Sequence, residues 1–290
     1  MQRNWVRRVK YVGFCTFVAV CGAGGSAAVG AVLLFLLMGA LPALQSQGLL
    51  QMLGEIGWEP QAGRYGLAAM ILATAISSFG AASLATPVAL AAAAFARNLL
   101  PPAVRRLFRA LLELLSGLPS VMFGLLGLLL LLPALVQIFP GPMATSGGAT
   151  LLAAMLVLAA LLLPSSTLSL LGQLDSAGKQ VDRPSRALGA SPMQTVFRLQ
   201  IPTARDGIMG VWVSGMRRAA AEGIAVLLVS GNVARLPSLF SGVRTLASGM
   251  LLEMGYASGI HRAALFTMAL LLLIVSLLTG LSFRWHGRCG

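Results

Sequence analysis

The sequence predicts an all-α integral membrane protein with six transmembrane helices. Of its 290 residues, 57% are hydrophobic and only 10% are charged, which is far too apolar for a soluble domain. The apolar residues form six runs, each long enough to cross a hydrocarbon core of roughly 30 Å, which needs about 20 helical residues. The charged residues lie mainly in the short gaps between the runs, as loops of membrane proteins require.

The runs divide the chain into four segments. A basic N-terminal segment, residues 1–11, precedes the first span over residues 12–44. A core domain over residues 65–283 contains the other five spans, and residues 284–290 form a tail. The core spans are predicted at 65–95, after Glu113 with a kink at Pro119, at 149–171, at 208–229 and at 260–283.

The distribution of lysine and arginine predicts the orientation of the spans. The loops on the side of the N-terminus carry 15 of these residues, and the loops on the other side carry 4. The positive-inside rule therefore predicts that both termini and the 173–206 loop are cytoplasmic. Because the net charge of +13 follows from loop topology, it does not indicate a nucleic-acid partner.

The stretch from Asp182 to Pro202 is a polar island between two apolar runs, and its residues 183–202 are called the docking loop here. Its residues predict two short helices with a break between them. Pro184 suits the first position of one helix, and Gly189 suits its end because glycine adopts a left-handed conformation at little cost. Ser191 and Gln194 have the spacing of a capping box that restarts the chain as a helix, which Pro202 closes.

Large apolar side chains in this loop are flanked by arginines at 183, 186, 198 and 205. The apolar residues are Leu188, Met193, Val196 and Phe197. An exposed apolar helix with a basic border is typical of a surface that docks into the cleft of a partner protein.

The docking loop resembles the EAA loop of ABC-importer permeases. The resemblance rests on Gly189, followed after nine residues by Leu199-Gln200-Ile201-Pro202, while the Glu-Ala-Ala of the family falls on Arg183-Pro184-Ser185. In that family the loop forms a coupling helix that docks on the ATPase, within a type I importer fold. The resemblance implies a coupling role for eight residues, namely Arg183, Ser185, Ala187, Leu188, Gly189, Phe197, Ile201 and Pro202.

The fifth predicted span contains three charges, Arg217, Arg218 and Glu222. Each costs roughly 2.5–3.5 kcal/mol at the centre of a membrane helix, so these residues are expected to face protein or a water-filled path. Arg218 and Glu222 are four residues apart and are predicted to pair, whereas Arg217 lies about 100° further round the helix. The alternatives are a buried ion pair that locks the helix and an anion pathway, in which guanidinium binds phosphate oxygens and Glu222 accepts the proton that phosphate, unlike sulfate, still carries.

Arg218 to Glu222 resembles the Arg-x-x-Gly-Glu-Thr segment of phosphate-importer permeases. Further similarity covers 225–232 and 117–127, and the segments 253–255 and 261–266 favour the PstC-type over the PstA-type subunit. Ala221 and Gly223 replace the glycine and threonine of the family, and Arg217 stands where the family has a small residue, so molybdate, sulfate and phosphonate remain alternative anions.

The resemblance implies that the chain forms half of a translocation pathway for inorganic phosphate in a bacterial inner membrane, in contact with membrane lipid. It implies three protein partners: a second permease subunit, a dimer of ATP-binding subunits and an extracytoplasmic phosphate-binding protein. A secondary anion transporter and a structural membrane anchor are alternatives from other classes.

The sequence argues against an enzyme. It contains no Walker A motif, so ATP hydrolysis is expected on a partner chain. Its two histidines and three cysteines form no catalytic or metal-ligand pattern, and no cofactor is expected.

Overall fold

A computed structural model describes residues 2–143 and 146–286, with side chains for 14–141, 143 and 146–280. The described residues are almost entirely helical and include one two-stranded antiparallel hairpin. The first elements are α1 Gln2–Gln47, α2 Leu49–Gly54, β1 Trp58–Glu59, β2 Arg64–Tyr65, α3 Ala68–Asn98, α4 Pro102–Ser116, α5 Ser120–Leu126, α6 Leu132–Ile138 and α7 Pro140–Met143. They are followed by α8 Leu151–Ala187, α9 Pro192–Thr195, α10 Ile201–Thr203, α11 Arg205–Ala221, α12 Ile224–Val229, α13 Leu246–Glu253 and α14 Gly259–His286.

Five of the described helical segments are long and apolar enough to cross a membrane. They are Phe14–Gln47, Ala68–Asn98, Ser120–Ile138, Leu151–Ala187 and Gly259–Gly280. They correspond to the first, second, third, fourth and sixth predicted spans.

The predicted fifth span, 208–229, is not one continuous helix. It is divided between α11 and α12 at Glu222 and Gly223, because Glu222 adopts an extended conformation with ψ of 117°. A Cβ atom at Gly223 would lie 3.1 Å from the carbonyl oxygen of Ala247, so α13 packs closely against the break. This tertiary contact cannot be read from the apolar pattern of the span.

Pro119 separates two helices instead of kinking one. α4 ends at Ser116, and α5 begins at Ser120 directly after the proline. The third span then continues from α5 through a π-helical turn, Gly127–Leu131, into α6. Proline fixes its own backbone and disfavours a helical residue before it, which explains a complete break at this position.

The centre of the molecule is the pair formed by α3 and α8, with α11 packed against both. Buried alanines line the contact face of α3, among them Ala81, Ala85, Ala89 and Ala93. Small residues let helix backbones approach closely, which is the usual way in which membrane helices pack.

α1 behaves differently from the core helices. Most of its apolar side chains between Phe14 and Met38 are exposed, and only its end packs on α14, where Gly39 lies against the ring of Phe266. The predicted first span is therefore part of a longer helix that starts at Gln2 and touches the core at one end.

The two ends of the bundle carry different elements. At one end, called the hairpin end, the buried carboxylate of Glu253 accepts hydrogen bonds from Trp58 and Arg244 and lies 2.7 Å from His261 Nε2. At the other end, called the loop end, α3 finishes beside the docking loop. The long helices α3 and α8 connect the two ends.

Candidate functional site

The first half of the docking loop is the last part of α8. Pro184 lies inside this helix, so the prediction that it starts a short helix is wrong. A proline removes the hydrogen bond to the carbonyl four residues earlier, here that of Gln180, which is an exposed residue whose carbonyl water can satisfy. Gly189 ends the helix with φ of +78°, as predicted, and the amide of Ala190 donates back to the carbonyl of Ser185.

The chain then restarts as predicted. Ser191 Oγ accepts from the amide of Gln194 at 3.3 Å, and Gln194 Oε1 accepts from the amide of Ser191 at 3.0 Å, which completes the capping box. The helical path continues through a π-helical turn, Val196–Gln200, into α10. Pro202 lies inside α10 and does not close the helix; the break comes at Ala204.

The docking loop presents an apolar surface. Leu188, Phe197 and Met193 are 88%, 63% and 53% exposed, but Val196 is buried and faces the protein, so the expected exposure of this residue is wrong. Around these side chains Arg183, Arg186, Arg198 and Arg205 are exposed, as are Ala187, Gly189 and Pro202. The surface is therefore apolar with a basic border.

Two of the predicted coupling residues lie on the inner side of the loop. Ser185 is buried, and its hydroxyl lies 2.9 Å from that of Thr195, so it joins the end of α8 to α9. Ile201 is half-buried and packs against the cluster around Leu170 and Leu174. Their contacts shape the loop instead of forming its outer surface.

A ring of hydrogen bonds holds the loop to α3, and the sequence patterns did not indicate it. Arg97 donates to Asp182 at 2.7 Å and to Asn98 at 3.2 Å, while Gln200 donates to Asp182 at 2.9 Å and to Asn98 at 3.3 Å. These four residues are called the Arg97 ring. Outside the ring, Asp175 accepts from both Arg97 and Arg105.

The charges of the fifth span do not form the predicted pair. Arg218 is exposed and donates to Ser165 Oγ on α8 at 2.9 Å. Glu222 instead accepts the backbone amides of Ile224 and Ala225, at 3.1 and 3.2 Å, and so caps α12. Because the helix ends before Glu222, its side chain no longer follows the four-residue spacing that would bring it to Arg218.

Arg217 points away from Arg218. It lines a cavity of about 480 Å³ between α3, α11 and α14, whose walls are mainly apolar side chains such as Ile76, Phe79 and Val275. The buried Nε of Arg217 has no hydrogen-bond acceptor in the described part of the chain. The structure therefore places the two arginines in different surroundings.

The chain is similar to curated permeases over most of its length. It is 31% identical to the probable ABC transporter permease protein YqgH of Bacillus subtilis, across 98% of this chain and 91% of that protein. It is also 31% identical to the phosphate transport system permease protein PstC 2 of Mycobacterium bovis, across 80% of this chain and 78% of that protein. The chain belongs to the PstC-type family of ABC transporter permeases. No protein-family model matches it.

The fold of this permease matches a solved transporter. A chain of the MetNI methionine ABC transporter, in an inward-facing conformation, aligns with a TM-score of 0.60 over 80% of this chain and 99% of that chain, at 18% identity. The prediction of an all-α ABC-importer permease fold is confirmed. The protein is a multi-pass membrane protein and a transport subunit.

Proposed function

We propose that this permease forms half of the translocation pathway of an ATP-driven importer for inorganic phosphate. The relatives named as phosphate transport permeases support phosphate as the cargo. A second permease subunit completes the pathway, a dimer of ATP-binding subunits hydrolyses ATP, and an extracytoplasmic phosphate-binding protein delivers the anion. The protein lies in a bacterial inner membrane, and both termini and the docking loop face the cytoplasm. The arginine-rich loops support this orientation.

The observation that carries this proposal is that Arg218 is exposed and forms no ion pair within the described residues. This arginine lies 13 residues after the start of α11 at the loop end, about 20 Å along the helix axis, so we place it deep within a membrane of ordinary thickness. A guanidinium exposed to lipid at this depth is costly, whereas one that faces a water-filled path can bind a passing oxyanion.

The neighbouring surface of α8 supports a polar path. Ser165, Ser169 and Ser176 recur at helical spacing along one side of α8, and the last two are exposed. Their hydroxyls already donate to backbone carbonyls of their own helix, which leaves oxygen lone pairs and a small, wettable surface beside Arg218. We place the anion on this face.

Glu222 stands at the end of α11, one helical turn beyond Arg218. Its Oε1 is engaged by the amides of α12, and we propose that its second oxygen accepts the proton of hydrogen phosphate. Sulfate carries no proton at neutral pH, so this contact favours phosphate over sulfate. Arg217 adds positive charge from the adjacent cavity.

The docking loop is the proposed coupling element. Leu188, Met193 and Phe197 form the apolar centre of the surface, and its arginine border suits a partner cleft with acidic groups. ATP-driven movement of the partner then reaches the pathway through the helices that the loop connects, α8 and α11.

The proposal is tested with the transporter purified through a tag on this chain and reconstituted in vesicles with its binding protein. We expect an ATP-binding subunit and a second permease to copurify, and phosphate uptake to require ATP. Unlabelled phosphate should compete with labelled phosphate far better than sulfate, molybdate or phosphonate. Uptake that persists without ATP, or that follows another anion, would contradict the proposal.

A further inference from the structure

We infer that the Arg97 ring is the joint that links the docking loop to α3, with Arg97 and Gln200 as positioning residues for coupling. This inference rests on the proposed coupling role of the loop. Of the three packed core helices, α8 and α11 are joined to the loop through the chain itself. α3 has no such covalent connection, so movement of the loop reaches it only through side-chain contacts.

The ring is built around a groove in α8. Arg97 donates through Nε to Asp175 at 3.1 Å and through Nη2 to Asp182 at 2.7 Å. These aspartates are seven residues apart, about 10 Å along α8, so the guanidinium lies across two turns of the helix. Its side chain is only 10% exposed.

Gly178 makes this placement possible. It lies on α8 between the two aspartates, and a Cβ atom there would overlap Nη2 of Arg97. Because a guanidinium is the end of a flexible side chain, an alanine at this position would displace the guanidinium and leave the helices where they are. The site can therefore be altered without a large change in the fold.

Gln200 is the loop's contribution to the joint. Its side chain is almost completely buried, and its amide donates to Asp182 and to Asn98. Asn98 in turn donates to Gln200 Oε1 at 3.4 Å and to the carbonyl of Ala94 on α3. Both ends of the Gln200 amide are thus used, and the loop cannot shift relative to α3 without breaking several hydrogen bonds together.

The first test compares Gly178→Ala with Gly172→Ala in the reconstituted transporter. Both substitutions add one methyl group to α8, but nothing lies within 4 Å of the added atom at Gly172. We expect Gly178→Ala to lower the phosphate uptake per ATP hydrolysed at least about fivefold while ATP hydrolysis continues. Gly172 lies on the side of α8 that carries Ser169 and Ser176, so a slower uptake in Gly172→Ala should be matched by slower ATP hydrolysis. Gly172→Ala should therefore keep the wild-type ratio, and equal ratios for the two variants would overturn the inference.

The second test restores the ring with its charges exchanged. Gln200→Glu alone replaces the amide donor to Asp182 by a carboxylate, and the two negative charges repel each other. This variant should uncouple phosphate uptake from ATP hydrolysis. Asp182→Asn combined with Gln200→Glu again offers one amide donor to one carboxylate, so we expect at least half of the wild-type ratio to return. If the double variant takes up no more phosphate per ATP than Gln200→Glu does, the inference is overturned. This test remains valid even when Gly178→Ala fails to assemble.

The outcomes separate this inference from the proposed function. If the wild-type transporter binds no ATPase or shows no ATP-dependent uptake, the proposed function fails. If the wild type is coupled and both ring tests leave the ratio unchanged, only the joint at α3 is refuted.

Discussion

The charges at the loop end and the two arginines near the end of α11 differ in how completely their hydrogen bonds are made. At the loop end, Asp175 is held by two arginines, and Asp182 by Arg97 and Gln200. Along α11, by contrast, Arg218 has one neutral partner, and the buried Nε of Arg217 has none in the described part of the chain.

This difference separates structural charges from functional ones. A charge whose hydrogen bonds are all made within the chain has little capacity left for a ligand, and its removal leaves its partners buried and unpaired. A charge that lies deep in the membrane without a counter-ion needs compensation from outside the chain, either from water, cargo or another subunit. Substitutions in the two regions should therefore change different measured quantities.

The largest effect is expected from Arg218→Gln. A hydrogen bond to a charged group contributes about 1.5–3 kcal/mol, and each 1.4 kcal/mol is tenfold, so we expect phosphate uptake to fall about 10- to 100-fold. The measurement is the initial rate of labelled phosphate uptake in vesicles. Arg109→Gln is the matched control, because Arg109 forms an exposed pair with Glu113 that contributes little. Equal uptake by the two variants would show that Arg218 does not contact cargo.

The comparison reverses when stability is measured. Arg97→Met leaves Asp182 without its guanidinium partner, which lowers the free energy of unfolding. We expect a loss of only about 2 kcal/mol, less than for a fully buried pair, because the aspartates are partly exposed and water screens their charge. Arg218→Met breaks only the hydrogen bond to Ser165, and Arg218 is exposed. The free energy of unfolding should therefore change by less than about 1 kcal/mol. Thermal unfolding of the purified transporter in detergent measures both. A larger loss for Arg218→Met would contradict the division between the two regions.

Local signals in the sequence were sufficient for part of the fold and of the site. The apolar runs predicted the membrane helices, and Gly189, Ser191 and Gln194 predicted how the docking loop stops and restarts. Each of these features is decided by residues within a few positions of one another. The exposure of Leu188 and Phe197 also followed from local pattern.

The features that the sequence could not predict depend on contacts between distant residues. Arg97 and Asp182 are 85 residues apart, and no spacing rule connects them. The prediction that Arg218 and Glu222 pair required an unbroken helix. In the structure α13 packs against Gly223, and the Glu222 carboxylate accepts an amide hydrogen bond from the start of α12. Pro184 was expected to begin a helix, yet α8 continues through it between the contacts of Asp182 and Ser185.

Glu222 sharpens the comparison because it combines a structural and a functional contact. Glu222→Gln keeps the side-chain oxygen that caps α12 and removes the negative charge. We expect normal assembly and an inhibition of phosphate uptake by sulfate that is about three- to tenfold stronger. Glu222→Leu removes the cap as well, at a cost of about 1 kcal/mol in stability. If Glu222→Gln keeps the wild-type discrimination, the carboxylate serves only as a cap.

The smallest effect is expected from Ser165→Ala, which tests whether Arg218 is held in place before cargo arrives. Of Ser165, Ser169 and Ser176 on one side of α8, only Ser165 contacts Arg218 in the described residues, and Ser169 lies one turn away. Removing the contact frees the guanidinium to adopt other rotamers, so we expect the KM for phosphate to rise about two- to fivefold with little change in the maximal rate. Ser169→Ala removes a hydroxyl from the same side of α8 that does not touch Arg218, so the KM should rise less than in Ser165→Ala. If both variants raise the KM equally, the hydroxyls act by keeping the path hydrated, and the contact between Ser165 and Arg218 is not needed. If neither variant raises the KM, the bound phosphate itself orients the Arg218 side chain.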